Sequence, residues 1–336
     1  MKCVLLGDIF IPPEIMEKAV SCYQSRYDII KKFYFGTNDR KQMREIVKTI
    51  EEKGRYAVQI PEGVLEEIKD ADVIMTHLCP ITKEMIDACT KLKVILSNRG
   101  GLENIDLKEA KERNIPVFNN PSHNANAVAE YTVGLILCEQ RNIVRSHISL
   151  INNKWRENYP NSNEIRELGN CTIGLIGYGN VGKLVSEKLS GFKPRILAYD
   201  PYIGINTKVG NVELVTLEYL LKEADIVSLH ARTSDKKPLI TKKELSIMKN
   251  SAYLINTARS YLINMDDLYL ALKERKICGA AVDVFEIEPL PEDYKFLDLE
   301  NVTLTNHRGG DTINSYFDSP MTMFNIAERY LKKGEM

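Results

Sequence analysis

The sequence predicts an α/β protein made of two doubly wound parallel-sheet domains. Three observations predict it. The chain has 336 residues, and single hydrophobic cores stop growing near ~250–300 residues. Short apolar runs alternate with amphipathic stretches through the first 120 residues, and the alternation starts afresh at residue 171. Alternation of this kind places helices over a parallel sheet. Finally, a glycine-rich turn, GLIGYGNVG at 174–182, joins a strand to a helix in mid-chain.

In chain order, KCVLLG (2–7), ADVIMTH (71–77), LKVILSN (92–98) and IPVFNN (115–120) read as strands. DRKQMREIVKTIEEKG (39–54) reads as a helix ended by Gly54; PITKEMIDACTKL and NIDLKEAKERNI are helical as well. The stretch from Pro121 to Trp155 keeps a helical period and reads as one unusually long helix, which leaves one domain and enters the next. Residues 156–170 are polar and turn-rich, a surface excursion. The second alternation has strands CTIGLIG, RILAYD, DIVSLH, AYLINTA, CGAAVDVF and NVTLTNH. Its helices are NVGKLVSEKLSGF, LEYLLKEA, KKELSIMKN and MDDLYLALKERK. After the last strand, residues 311–333 form one C-terminal helix or two.

Lys and Arg number 45 against 46 Asp and Glu. This balance gives no support to a nucleic-acid or membrane-surface partner, so an anionic substrate must be caught by local groups. The N-terminal apolar run is broken by Asp8 and is too short for a signal peptide. No apolar run reaches the ~18 residues of a membrane span, and the chain reads as cytoplasmic. The seven cysteines (3, 22, 79, 89, 138, 171 and 278) form no CxxC pair. That argues against a disulfide framework and a cysteine metal site and predicts buried apolar thiols.

Gly177, Gly179 and Gly182 make a G-x-G-x-x-G between an apolar strand and a helix, the context that gives this pattern meaning. Gly177 permits the tight turn, Gly179 lets the backbone approach a pyrophosphate, and Gly182 lets helix and strand pack closely. The helix N-terminus offers unpaired N–H groups to the phosphates. Asp200 follows Gly182 by 18 residues, at the end of RILAYD. A carboxylate there accepts the ribose hydroxyls and repels a 2′-phosphate, which favours NAD over NADP. The alternative is that Asp200 merely starts the DPY turn.

Arg259, Glu288 and His307 stand just past predicted strand ends, where ligands of open α/β sheets bind. Together they suit redox chemistry on a 2-oxo acid. Arg is a permanent fork for a carboxylate and a keto oxygen, His exchanges a proton near neutrality, and a carboxylate orients it. Taken singly, each has a plain alternative: a surface charge, a loop glutamate, a structural histidine.

The motifs GLIGYGNVGK, ADIVSLHA, LINTARS, GAAVDVFEIEP and NVTLTNHRGG resemble those of the D-isomer-specific 2-hydroxyacid dehydrogenases, the family of phosphoglycerate dehydrogenase and glyoxylate reductase. SNRGGLENIDL and NNPSHNANAVAEYTVGLIL match as well, so the resemblance runs from about residue 71 to the C-terminus. It implies a Rossmann NAD-binding domain (120–311) inserted into a flavodoxin-like substrate domain (1–119 plus 312–336). This insertion accounts for the mid-chain glycine loop, and the resemblance places the active site in the cleft between the domains.

Carried over by position, Arg259 binds the substrate carboxylate and polarises the 2-oxo group, His307 is the acid/base on the C2 oxygen, and Glu288 is its partner. Gly177, Tyr178, Gly179, Asn180, Val181, Gly182, Asp200, His230, Ala231, Thr233, Thr257, Ala258 and Gly309 contact NAD, and Asp283 holds the nicotinamide amide. Gly100 and Gly101 grip the substrate carboxylate, with Arg99 adding charge; for Arg99 a solvated loop arginine is the alternative. The helix starting near residue 123 resembles the family's dimer element and implies a homodimer, and Trp155 matches a position that can reach the second subunit; a plain packing role is the alternative.

Ser260, Arg308 and Arg232 depart from the family's usual Gly, small residue and Pro. Arg99, Arg232 and Arg308 either face a second anionic or polyhydroxylated end of the substrate or are surface charges. Phosphohydroxypyruvate, glyoxylate, hydroxypyruvate and sugar-derived oxo acids fit these motifs alike. The alternative from another class is an NAD(H)-sensing, corepressor-like binding protein of the same fold; a long disordered tail that would support it is missing. A formate dehydrogenase relative would pair the histidine with Gln, where this chain has Glu288.

Overall fold

All six residues of β1 (Lys2–Gly7) are buried in the computed structural model, because both faces of the strand are covered. Val4 and Leu6 join one apolar cluster with Ile74 and Ile95; Cys3 and Leu5 join another with Met75 and Leu96. The structure describes residues 1–23, 25–205, 207–233 and 235–333. It divides into two compact units, Met1–Asn124 together with the chain from Thr312, and Ala125–Asp311.

In the first unit, β1 is followed by α1 (Pro13–Ser21), β2 (Ile29–Tyr34), α2 (Arg40–Lys53), α3 (Val64–Glu67), β3 (Val73–Thr76), α4 (Lys83–Ala88), β4 (Val94–Ser97), α5 (Leu107–Glu112) and β5 (Val117–Asn119). Asp39, Thr82 and Asp106 cap α2, α4 and α5 through backbone N–H groups of the first turn. The five strands are parallel in the order β2-β1-β3-β4-β5, one of the two common doubly wound orders. The sequence reading leaves α1 and β2 unassigned. Strand β2, IIKKFY, is the half-exposed edge of the sheet and carries two lysines, so it lacks the apolar run that marks its neighbours.

The second unit opens on α6 (Ala125–Arg141) and α7 (Ile143–Ile151). The single long helix expected over 121–155 is therefore two helices. Asn142 breaks it by adopting the left-handed conformation, φ +56°, which Asn tolerates better than most residues. Its side chain donates to Asn161 Oδ1 (2.7 Å) and accepts from Arg145 Nη1 (3.1 Å).

The chain continues through β6 (Thr172–Ile176), α8 (Asn180–Leu189), β7 (Arg195–Tyr199), β8 (Lys208–Val209), β9 (Val212–Leu214), α9 (Leu217–Glu223) and β10 (Ile226–Leu229). Then follow α10 (Lys242–Ile247), β11 (Tyr253–Asn256), α11 (Met265–Lys273), β12 (Gly279–Val282) and β13 (Val302–Leu304). The sheet order is β13-β12-β11-β10-β6-β7-β9-β8, parallel except for the short β8–β9 hairpin. Residues of alternating parity along β6 fill opposite faces: Ile176 packs with Val227 and Leu254, whereas Ile173 and Leu175 pack with Ile196 and Ile226.

The last helix, α12 (Ile313–Lys333), returns to the first unit and runs unbroken through Pro320. Ser319 Oγ donates to Asn98 O and accepts from Asn120 Nδ2, both at 2.9 Å, which ties α12 to the ends of β4 and β5. The Phe324 ring meets Tyr27 edge-on at 5.6 Å. Cysteines 3, 79, 89 and 171 are buried as expected; Cys138 and Cys278 are half-buried, and Cys22, past the end of α1, is exposed. Among the described residues no helix is long and apolar enough to cross a membrane.

Candidate active site

The order of the second sheet reverses between β6 and β10, and the carboxyl ends at such a switch point form a natural crevice. Gly177 ends β6 with φ +95°, and a Cβ there would lie 2.7 Å from Ala231 N and from the His230 carbonyl carbon. Both the left-handed backbone and the close approach to the β10 loop require glycine. At Gly182 a Cβ would lie 2.3 Å from Gly177 O, so the helix can pack this close to the turn only without a side chain. Gly179 faces open space, and no side chain caps α8 there. An uncapped helix start beside open space is the arrangement a pyrophosphate needs.

Asp200, one residue past β7, accepts from Tyr178 N (2.8 Å) and Tyr202 N (3.0 Å), and so fixes the glycine turn against the β7 end. Its oxygens keep lone pairs for further donors such as ribose hydroxyls. Past β10, both ring nitrogens of His230 are buried and have no partner among the described residues. Burial pushes its pKa down to about 3, so the ring is neutral. An orphaned donor and acceptor beside the glycine turn fit a bound polar group. Asn180 and Val181 begin α8, the first exposed and the second half-buried against an apolar cluster. Ala231 is half-buried beside Gly177, and Thr233 Oγ1 donates to Lys237 O at 3.4 Å.

Further along the same edge, Thr257 Oγ1 meets Thr132 Oγ1 at 2.7 Å. Asn256, at the end of β11, closes the turn that carries Arg259: its Oδ1 accepts from Ala258 N (3.0 Å) and its Nδ2 donates to Arg259 O (2.9 Å). The Arg259 side chain is exposed, with Nη1 donating to Ala258 O. Beyond β12, the buried Asp283 accepts from Thr305 Oγ1 (2.6 Å), Arg308 N (3.0 Å) and Gly309 N (2.9 Å). These bonds clamp the loop after β13 on both sides of His307, whose backbone is left-handed at φ +54°. His307 Nδ1 lies 2.8 Å from Glu288 Oε2, and Glu288 Oε1 accepts from Phe285 N (3.0 Å). The carboxylate makes Nδ1 the protonated nitrogen and leaves Nε2, on a half-exposed ring, for a reacting group.

Register along the parallel strands thus sets Thr305, Asp283, Thr257, His230, Gly177 and Asp200 in a row at one sheet edge. Of the departures from the family pattern, Arg232 is exposed, and Arg308 pairs with Asp311 at 2.5 Å. Asn256 and Thr305 lie inside the quoted motifs LINTARS and NVTLTNHRGG, but the sequence assigns them no role. The signal for Asn256 is weak: an Asn that starts a turn directly after an apolar run.

Arg99, Gly100 and Gly101 lie in the first unit, on the loop after β4. Arg99 is no solvated loop arginine. Its side chain is 13% exposed, Nη2 is 2.7 Å from Glu51 and 3.5 Å from Glu103, and Nη1 is buried without a partner among the described residues. Asn119 Nδ2 donates to Gly100 O (2.6 Å), and neither Gly100 N nor Gly101 N has a protein acceptor among the described residues.

The switch-point turn, the carboxylate of Asp200 beside it and the His–Glu pair fit a dinucleotide-dependent oxidoreductase. The profile of the D-isomer specific 2-hydroxyacid dehydrogenase NAD-binding domain matches residues 133–309. The chain is 39% identical to a glyoxylate reductase of Thermofilum pendens over 82% of each chain. It is also 39% identical to a D-3-phosphoglycerate dehydrogenase of Methanocaldococcus jannaschii, over 80% of this chain and 52% of that one. The NAD-complexed D-isomer specific 2-hydroxyacid dehydrogenase of Lactobacillus delbrueckii ssp. bulgaricus superposes with a TM-score of 0.78 at 23% identity, over 99% of this chain and 98% of the other. The chain belongs to the D-isomer specific 2-hydroxyacid dehydrogenase family, and its cofactor is NAD.

Proposed function

We propose that the protein interconverts a D-2-hydroxy acid and its 2-oxo acid with His307, Glu288 and Arg259 as the residues of the chemical step. The single observation that carries this assignment is the His307–Glu288 pair at 2.8 Å, on a loop clamped by Asp283. NAD, when bound along the β6–β10 edge, supplies or receives the hydride. Gly177–Gly182, Asp200, His230, Ala231, Thr233, Thr257, Ala258, Asp283 and Gly309 are the residues that hold it. His307 Nε2 gives a proton to the C2 oxygen during reduction and takes it back during oxidation, while Glu288 orients the ring and stabilises its charged form. Arg259 draws charge onto the 2-oxo oxygen and binds the carboxylate. The first unit we assign to substrate binding: the Gly100 and Gly101 amides, which have no protein acceptor among the described residues, offer a grip for a carboxylate. Direct assay of NADH oxidation with a panel of 2-oxo acids tests the reading; silence across the panel with NADH still bound would shift it to the corepressor-like alternative.

Cofactor choice gives a sharper test. Asp200 repels a 2′-phosphate, so wild type should use NADH far better than NADPH. Asp200→Ser should narrow the ratio of the two kcat/KM values by about tenfold or more, one charge repulsion being of order 1–2 kcal/mol. An unchanged ratio removes Asp200 from ribose recognition.

We assign a homodimer to the α6–α7 region. On α7, Ile143, Ile148, Leu150 and Ile151 are 51%, 49%, 54% and 63% exposed, and Trp155, just beyond the helix, is 84% exposed. Apolar clusters of this kind mark association surfaces. Light scattering should return twice the 38.3 kDa chain mass, and Ile151→Asp with Trp155→Asp should shift it towards one chain. A monomeric wild type at tens of micromolar would discard the assignment. Seven unpaired cysteines fit a reducing, cytoplasmic setting.

A further inference from the structure

Glu288 reaches His307 from a loop with almost no regular structure of its own. Between the end of β12 at Val282 and the start of β13 at Val302, only one short turn, Lys295–Asp298, is helical. The Glu288 side chain is 38% exposed, so burial does not fix its rotamer. A carboxylate in that setting has several staggered orientations open to it, yet the chemistry needs Oε2 held at one distance from Nδ1. The loop buries aromatic rings instead. Phe285, whose N–H donates to Glu288 Oε1 at 3.0 Å, meets Tyr294 edge-on, with ring centres 5.8 Å apart and planes at 86°. Tyr294 stacks on Phe296 at 5.4 Å and 18°, and Phe296 meets Tyr269 of α11 edge-on at 5.7 Å. Phe285 and Phe296 are buried and Tyr294 is half-buried. Lys295 lies over the rings of Tyr269 and Phe296 and pairs with Asp266, the second residue of α11. The column of rings therefore stands on α11 and ends at the amide that holds Glu288.

We propose that Tyr294 is a positioning residue: through Phe285 it holds the Glu288 carboxylate where it orients His307. This rests on the reading above, in which His307 and Glu288 carry the acid/base step. Edge-to-face and stacked pairs are preferred arrangements of aromatic rings, so each ring fixes the next, and Tyr294 is the ring that joins Phe285 to Phe296. Its hydroxyl adds little. Oη donates to Glu286 Oε2 at 3.4 Å, long for a hydrogen bond, and Glu286 is exposed. The ring therefore carries the role. A side chain that merely stabilised the fold would act alike whatever stands at 288. A side chain that acts through Glu288 has nothing left to position once that carboxylate is gone.

The test is a double-mutant cycle on kcat, with NADH and a 2-oxo acid that wild type reduces. Tyr294→Leu should lower kcat by about 5–30-fold, less than the ~10²-fold that a misplacement of ~1 Å costs, with NADH affinity within about twofold of wild type. Tyr294→Phe keeps the ring and should stay within about twofold of wild-type kcat. Glu288→Gln is expected to lower kcat by itself, and adding Tyr294→Leu to it should cost less than about twofold more. Urea unfolding checks that each variant is folded under assay conditions. Phe285→Leu, which removes the ring on the other side of the contact, repeats the cycle should Tyr294→Leu not fold. Wild-type kcat in the folded ring-deleted variant overturns the proposal, and so does a loss that multiplies in full with that of Glu288→Gln. Wild-type kcat in His307→Ala would instead sink the acid/base reading on which the proposal stands.

Discussion

His307→Ala is expected to lower kcat by about 10²–10⁴-fold, the contribution of a positioned acid/base. NADH affinity should stay near wild type, because His307 sits on the loop after β13 and the glycine turn ends β6. Glu288→Gln should fall between wild type and His307→Ala. It keeps a side chain of the same shape beside Nδ1 but removes the charge that stabilises the imidazolium. Arg259→Ala should lower kcat/KM by ~10²-fold or more, since it removes a fixed charge from both carboxylate and developing oxyanion. Steady-state kinetics with a saturating 2-oxo acid, beside an NADH titration, separates the outcomes. Wild-type turnover in His307→Ala or Arg259→Ala would falsify that role assignment.

The second large effect is expected at the glycine turn, where two neighbouring positions should fail differently. In Gly182→Ala the new Cβ would meet a backbone oxygen at 2.3 Å, and backbone cannot swing aside as a side-chain tip can. The variant should lose about 1–3 kcal/mol of stability, as overpacked sites do, and NADH affinity with it. In Gly179→Ala the Cβ enters open space, so urea unfolding should match wild type. Its NADH affinity should still fall by about tenfold or more, because the methyl occupies the path by which a pyrophosphate approaches the backbone. Equal NADH affinity in Gly179→Ala and wild type would take the pyrophosphate away from this turn.

Much of this was legible in the residues alone because its physics is local. A strand buried on both faces reads as an apolar run, as in KCVLLG and CTIGLIG. A turn that needs positive φ and close packing writes glycine at fixed spacings, as at Gly177 and Gly182. Arg259, Glu288 and His307 could be noticed because they follow such runs directly. Where local signals were mixed, the reading failed. Strand β2 is a half-exposed edge with two lysines, and α6 and α7 share a helical period that only the left-handed Asn142 interrupts.

The sequence by itself determined the strand–helix alternation, the glycine turn with its trailing Asp200, and the presence of a His, an Arg and a Glu past strand ends. Only the tertiary structure decided which polar groups meet. Asp283 clamps the His307 loop from 25 and 26 residues away, Asp8 meets His77 across 69, and Ser319 reaches Asn98 across 221. It also paired Arg99, a loop charge in the sequence, with the half-exposed carboxylate of Glu51. The reason is that periodicity and backbone strain act over a few residues, whereas partners are chosen by sheet order and register, which bring distant strand ends side by side.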